Sequence, residues 1–141
     1  MMSILDQELV KKFPLLYRDR SGPATHTLMG FGFDCGDGWA DILFALSRKL
    51  ETEIRRLEKK NPDIQYKASQ VKEKYGTLSF YMNYSTPIMN RWIGEAEKLS
   101  ARTCETCGHR GKLVNINMWY STLCTPCRKK QEDYANHRLF D

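Results

Sequence analysis

Four cysteines in two C-x2-C pairs are the residues of this chain whose types and spacing imply the clearest chemistry. Cys104 and Cys107 form the first pair, Cys124 and Cys127 form the second, and sixteen residues lie between the pairs. Two such pairs are typical of a zinc site, and the spacer can form a small β-hairpin that brings the second pair over the first. Four thiolates fill the tetrahedral shell of Zn²⁺ and leave no position for a reactive water. The sequence therefore predicts one structural zinc ion held by these four cysteines.

Paired cysteines also occur in redox dithiols and in disulfide-bonded proteins. The first six residues, Met1 to Asp6, show neither the basic start nor the apolar stretch of a secretory signal, and disulfides rarely persist without secretion. A thioredoxin-like motif would be a single C-x2-C pair in a βαβ setting, which this pattern does not resemble. The sequence therefore favours zinc and predicts a cytoplasmic protein.

Composition narrows the class of protein further. The chain has 141 residues, of which 41% are hydrophobic, so it can bury a core as one domain, or as one domain with a zinc-bound appendix. No apolar run is long enough to span a bilayer, so no membrane association is predicted. The formal net charge is +5 and falls to about +3 once four thiolates and one Zn²⁺ are counted. A mixed charge of this size permits a polyanionic partner without requiring one.

Hydrophobic periodicity predicts an α+β fold in two parts. Residues 1–102 form an α+β domain with a long central helix and a β-hairpin, and residues 103–141 form a zinc-ribbon-like module with a closing helix. The first hairpin turns at Tyr75 and Gly76, and a second hairpin joins the two cysteine pairs. Helices are predicted over 4–13, 39–60, 87–102 and 126–139, and extended segments over 64–74, 78–84 and 112–123.

The same periodicity predicts which side chains face inward. The long helix, with Asp37 as its predicted cap, has a single apolar stripe that could pack within the chain or against a second copy in a homodimer. Alternation orients the return strand of the first hairpin, and 3–4 spacing orients the third helix. The predicted core residues are Leu43, Leu46, Leu50, Ile54 and Leu57 in the long helix, Leu78, Phe80, Met82 and Tyr84 in the strand, and Ile88, Trp92, Ala96 and Leu99 in the third helix.

A glycine- and aromatic-rich segment precedes the long helix and contains the fifth cysteine, Cys35. A nucleophilic cysteine needs a base, and His26 is close enough in sequence to be considered, whereas a lone thiol among aromatic residues is more often buried and structural. Asp34 and Asp37, together with Glu73, could bind a hard cation, or the two aspartates could be a turn residue and a helix cap. Both pairs of interpretations stay open on sequence alone.

Basic and aromatic residues interleave on the first hairpin and around the last helix. Together they could form a surface for nucleic acid, or the aromatic side chains could belong to the core while the lysines are simply solvated. His109 could compete as a zinc ligand, although four cysteines already fill the shell, and with Arg110 and Lys112 it marks a contact for phosphate or an acidic surface. The interleaved residues are Lys67, Lys72, Lys74, Arg128, Lys129 and Lys130, with Tyr66, Tyr75, Tyr81, Trp119 and Tyr120.

Three blocks of the sequence resemble a group of small proteins encoded by bacteriophages, prophages and bacteria. The blocks are FGFDCGDGW at 31–39, QVKEKYGTLSFY at 70–81 and CETCG at 104–108. The group combines a GF-x-CGDGW segment, a QVKEK-(F/Y)-G-x-L-x-FY hairpin and a C-terminal zinc knuckle, and the likeness spans most of the chain, from residue 14 to residue 128. It implies a phage-like or mobile-element origin and zinc binding, and it implies no particular reaction. The last ligand of that group can be histidine, and Cys127 stands at this position here.

These observations favour a non-enzymatic, phage-type zinc-binding protein that engages a host macromolecule in the host cytoplasm, with inhibition of a host defence as the narrower hypothesis. The alternatives are a nucleic-acid-binding protein, a protein that captures a small nucleotide, and a metal-dependent nuclease. The glycine-aromatic segment is the favoured partner-binding region, because loops on rigid scaffolds carry recognition. The predicted partner- or ligand-binding residues are Phe31, Phe33, Asp34, Asp37, Trp39, Lys72, Lys74, Tyr75, Arg110, Arg128, Lys129 and Lys130.

Overall fold

Four α-helices and two small β-sheets form the α+β fold of the described residues. The computed structural model describes residues 3–20 and 28–140, so His26 lies outside the described part of the chain. One sheet has the order β1-β2-β3, with β1 parallel and β3 antiparallel to β2, and the other sheet is the hairpin β4-β5. The elements are α1 (Ile4–Lys12), β1 (Phe33–Asp34), α2 (Ala40–Lys60), β2 (Ala68–Lys74), β3 (Thr77–Met82), α3 (Pro87–Ser100), β4 (Lys112–Ile116), β5 (Trp119–Leu123) and α4 (Thr125–Phe140).

One continuous hydrophobic core is shared by α1, α2, α3 and the three-stranded sheet. The predicted stripe of α2 is confirmed, because Leu43, Leu46, Leu50 and Ile54 are buried and Leu57 packs half-buried against the same core. The stripe is therefore covered by residues of its own chain.

Both hairpins turn in two residues with positive φ, and the predicted turn at Tyr75 and Gly76 is confirmed. These two residues have φ of 53° and 88°, and Asn117 and Met118 in the second hairpin have φ of 51° and 67°. Positive φ at both central residues is the requirement of a type I′ turn, whose twist matches that of the flanking antiparallel strands. The turns therefore fix the register of both strand pairs.

Glu51 of α2 is a buried carboxylate that anchors the segment after α1. Its oxygens accept the N–H of Leu15 at 3.2 Å and the N–H of Leu16 at 2.8 Å, and Arg55 pairs with it from one turn further along α2 at 3.2 Å. A buried amide without a hydrogen-bond partner lowers the free energy of unfolding by about 1–3 kcal/mol. Glu51 avoids this cost by accepting from two amides of a segment that has no regular secondary structure.

The predicted inner face of α3 is off by one position. Ala96 is buried as expected, and Trp92 is half-buried against the core, but Ile88 and Leu99 are exposed. The buried face of α3 is shifted because amides at the edge of β3 need hydrogen-bond acceptors from this helix. The N–H of Leu78 donates to Ser100 Oγ at 2.8 Å, and the N–H of Phe80 donates to Glu97 Oε2 at 3.0 Å. Pairing these amides turns polar residues of α3 inward, and the residues of α3 that are buried are Met89, Ile93, Ala96 and Ser100.

Three further sequence predictions are corrected near the sheet. Tyr84 lies beyond the end of β3 and is 64% exposed, so it does not belong to the core. Asp37 does not cap α2 but begins a 3-10 turn, Asp37–Trp39, and no side chain caps α2. The segment expected to be a recognition loop contains β1, in which Phe33 and Asp34 pair with Val71 and Lys72 of β2.

Candidate metal centre

The four cysteine sulfurs converge on one point. The Sγ atoms of Cys104, Cys107, Cys124 and Cys127 all lie within 4.8 Å of one another, which is compatible with one structural metal ion. Cys104 is fully buried, Cys124 and Cys127 are half-buried, and Cys107 is exposed. Four sulfur donors of one kind, held at this separation, fit the closed tetrahedral shell expected of a structural site.

The first cysteine pair sits on a tight backbone turn. The N–H of Gly108 donates to the carbonyl of Cys104 at 2.9 Å, and the N–H of Cys104 donates to the carbonyl of His109 at 2.7 Å. Gly108 has φ of 84°, as expected for the glycine that follows the pair. Its position therefore lets the chain reverse while both thiols point the same way.

The second pair lies where β5 leads into α4. Leu123 pairs with Lys112 at the open end of the β4-β5 hairpin, so Cys124 is returned beside the first pair. Cys127 lies in the first turn of α4, where the N–H of Arg128 donates to the carbonyl of Cys124 at 2.9 Å. The register of the β4-β5 hairpin and the start of α4 thus place the second cysteine pair beside the first, although the two pairs are distant in sequence.

Hydrogen bonds shift the pKa values of two thiols of the cluster in opposite directions. Burial opposes ionisation of Cys104, but donation to it from the backbone of Cys124, Cys107 and Thr106 outweighs burial and lowers its pKa to about 6. Hydrogen bonding with Cys124 and burial raise the pKa of Cys127 to about 12. His109 Nδ1 lies 3.2 Å from Cys107 Sγ, so its ring contacts one thiol of the cluster without being one of the four converging residues.

The glycine-rich segment before α2 packs directly on the first cysteine pair. The N–H of Gly38 donates to the carbonyl of Glu105 at 2.7 Å, and the N–H of Gly36 donates to Glu105 Oε2 at 2.8 Å. Trp39 is fully buried, and its Nε1 donates to the carbonyl of Thr103 at 2.9 Å. Trp39 is therefore not an accessible binding residue, and the backbone of this segment is occupied by the cysteine-bearing module.

A second contact joins the two hairpins. Thr122 Oγ1 of β5 donates to the carbonyl of Gly76 at 2.7 Å. A Cβ atom on Gly76 would lie 2.4 Å from Leu113 Cδ1 and 3.1 Å from the nitrogen of Ser121, so the second hairpin sits directly against the turn of the first. Residues on both sides of the predicted boundary at 102 and 103 are thus in close contact.

The acidic residues near Cys35 line a concavity of about 400 Å³ between β1, β2 and the first cysteine pair. Asp34, Glu73 and Glu105 contribute carboxylates to it, and Cys35 also lines it. Burial raises the pKa of Glu105, although the N–H of Gly36 opposes this shift. Asp37 is in the 3-10 turn and does not line this concavity, so the structure does not bring it together with Asp34 and Glu73.

Cys35 is expected to remain an unreactive thiol at neutral pH. Burial, followed by the nearby carboxylates of Glu105 and Asp34, raises its pKa to about 12. Iodoacetamide at pH 8 should therefore alkylate Cys35 at least about tenfold more slowly in the folded protein than in urea, as read by peptide mass spectrometry. Because the folded-state pKa is the higher one, this thiol favours the folded state below about pH 9 and loses that contribution as the pH rises toward 12. Equal alkylation rates in both states would contradict this expectation.

The remaining predicted binding residues are spread over several surfaces. Phe33 is half-buried and packs edge-on against Tyr17 at 4.8 Å between ring centroids, and the side chain of Phe31 lies outside the described part of the structure. Lys72 is half-buried on β2, while Tyr75 is exposed with Lys74 Nζ 6.0 Å from its ring centroid.

Basic residues of the cysteine module fall into two groups. Arg110 and Arg128 line one concavity together with Arg102, whereas Lys129 and Lys130 are exposed elsewhere on α4. Sequence reasoning missed Arg102, which belongs to no motif, and Glu105, which lies between two cysteines of a motif but acquires its role only through long-range packing.

No described helix is both long enough and apolar enough to cross a membrane. Comparison of the chain with models of protein families, with curated proteins and with solved structures finds no match. The site's own geometry is therefore the basis for assigning a function.

Proposed function

We propose that this chain is a non-enzymatic, phage-type protein in which one structural zinc ion stabilises a zinc-ribbon-like module and which engages a host macromolecule in the host cytoplasm. The observation that carries the proposal is the convergence of four cysteine sulfurs within 4.8 Å. A shell of four cysteine thiolates keeps no open position for substrate or water, so the metal contributes to stability and shape. Inhibition of a host defence is the narrower form of the proposal, supported by the likeness to phage-encoded proteins.

The partner surface follows from what the module leaves exposed. The glycine-rich segment is covered by the first cysteine pair, whereas the tip of the β4-β5 hairpin presents Met118 at 89% and Trp119 at 65% exposure. Large exposed apolar and aromatic side chains are common anchors of interfaces. We therefore assign engagement of the partner to this tip, with Tyr120 beside it, in place of the glycine-aromatic segment.

Native mass spectrometry of the full chain, purified from cells without chelator, tests the proposal. We expect the mass of one zinc ion and no other bound mass. A protein without zinc under these conditions would overturn the proposal, and a bound mass of nucleotide size would replace it with nucleotide capture.

A further inference from the structure

Four basic side chains line one concavity on the cysteine-bearing module. This basic concavity, of about 470 Å³, is lined by Arg102, Arg110, Lys112 and Arg128, and no carboxylate of the described residues lines it. All four side chains belong to exposed residues, so their charged ends are accessible to a ligand from solvent.

Backbone contacts bring two of the four basic residues together. Arg102 and Arg110 are brought together by the bridge between Thr103 and Arg110 and by the N–H of Gly111, which donates to the carbonyl of Arg102 at 2.9 Å. A Cβ atom on Gly111 would lie 2.7 Å from the carbonyl carbon of Leu123, so this part of the floor is backbone packed on backbone. The backbone positions that carry Arg102 and Arg110 are therefore fixed relative to each other beside Leu123.

The charge of the basic concavity is only partly compensated. Arginines elsewhere in the chain pair with carboxylates, such as Arg20 with Asp6 at 3.1 Å and Arg55 with Glu51 at 3.2 Å. Within the described residues, Arg102, Arg110 and Lys112 form no ion pair, and Arg128 pairs with Glu132 at 2.7 Å. Like charges held together without counter-charges favour binding of an anion.

The metal centre accounts for part of this charge. One Zn²⁺ with four thiolates carries a net charge of −2, and Cys124 borders the basic concavity. Two positive charges would offset it and Glu132 pairs with Arg128, so an excess of one positive charge is left for a further anion. Phosphate is the anion that arginine recognises well, because the guanidinium group offers a planar fork of donors.

We propose that the basic concavity binds phosphate groups of a nucleic-acid backbone. This inference rests on the proposed function, because the metal fixes the cysteine pairs that border the site, and it names the chemistry of the partner. An open concavity suits a polymer that passes over it. From Leu123 at its floor, β5 runs about 13 Å to the exposed Trp119. Trp119 also borders the concavity lined by Asp34, Glu73 and Glu105, so it would stack on a base of a single strand whose phosphates stay at the basic concavity.

Fluorescence anisotropy with a labelled, mixed-sequence 15-nucleotide single strand tests the inference on the zinc-loaded full chain. The variant R102Q/K112Q removes two cations of the basic concavity. The control K59Q/K60Q removes the same charge from the exposed last turn of α2. We expect the first variant to lose at least about tenfold in affinity and to reduce the slope of log K against log salt by about 1.4, and the control to stay within about twofold.

Several results would overturn the inference. The first is that wild-type protein binds no oligonucleotide, as expected if the partner is an acidic protein surface. The second is that both variants lose the same affinity for the oligonucleotide. Displacement of the oligonucleotide by AMP or inorganic phosphate at the same concentration of phosphate groups would assign the site to a small phosphate ester. Loss of zinc from R102Q/K112Q in native mass spectra would assign the cations to the metal centre alone. Zinc-loaded protein that fails to bind overturns this inference only, whereas zinc-free protein overturns the proposed function.

Discussion

Replacing Cys104 with serine is expected to abolish zinc binding and to unfold the cysteine-bearing module. Cys104 is the fully buried cysteine of the cluster, and among the described residues the separate hydrophobic cluster of this module contains two other buried residues, Val114 and Leu123. Such a cluster is too small to fold a hairpin and a helix without help. Structural zinc supplies roughly 10–16 kcal/mol in comparable small sites, so its loss exceeds any other single change expected in this chain.

Native mass spectrometry and hydrogen exchange measure the two parts of this prediction. We expect the Cys104→Ser variant to lack zinc and to lose amide protection over residues 112–123, where the two strands pair in the intact protein. Cys35→Ala is the matched control, because Cys35 is a cysteine outside the cluster and should keep one zinc ion. Retention of zinc and of protection in Cys104→Ser would show that the cluster is not the metal site.

Replacing Gly38 with alanine is expected to destabilise the protein by about 3 kcal/mol and to lower Tm by roughly 10 °C. The added Cβ atom would lie 2.1 Å from the carbonyl oxygen of Cys104 and 2.5 Å from the carbonyl carbon of Glu105. These are backbone atoms of the first cysteine pair, and they cannot move aside as the end of a flexible side chain would. The hydrogen bond from the N–H of Gly38 to Glu105 would be strained at the same time.

Gly94→Ala provides the control for this prediction. Gly94 lies within α3, and no described atom beyond its chain neighbours and the adjacent helix backbone lies within 4 Å of the position that its Cβ would take. Alanine is preferred over glycine in a helix by about 1 kcal/mol, so this variant should gain stability and raise Tm by a few degrees. Thermal unfolding of both variants by circular dichroism gives the comparison. If Gly38→Ala and Gly94→Ala had the same Tm, the contact between the glycine segment and the cysteine pair would not contribute to stability.

Features that follow from local pattern could be predicted from the sequence. The spacing of the cysteines predicts their convergence, because two C-x2-C pairs with such a spacer form a known zinc-site pattern. The pair Tyr75 and Gly76 predicts the first turn, because the geometry of a turn spans a few residues. The stripe of α2 is predicted for the same reason, since a helix of 21 residues repeats its pattern many times.

Features that depend on long-range packing could not be predicted. The glycines at 36 and 38 look like the flexible part of a recognition loop, but they are small because the backbone of Cys104 and Glu105 must approach them. The face of α3 is set by the edge amides of β3, which periodicity within α3 does not report. The residues that line the basic concavity come from separate positions that no sequence motif connects. The bridge between Thr103 and Arg110 helps to bring them together.

The contact between the glycine segment and the first cysteine pair has a consequence for the order in which the protein matures during synthesis. All of α1, α2 and α3 emerge from the ribosome before Thr103 and Glu105, the acceptors for Gly36, Gly38 and Trp39, have been made. Until then these donors face water, and the start of the longest helix is incomplete. Chains generally fold from the amino terminus as they are made, so the packing of residues 103–108 onto the glycine segment comes after the three preceding helices have been made. A nascent or truncated chain without that step would display Trp39, normally buried, to the quality-control machinery of the cell.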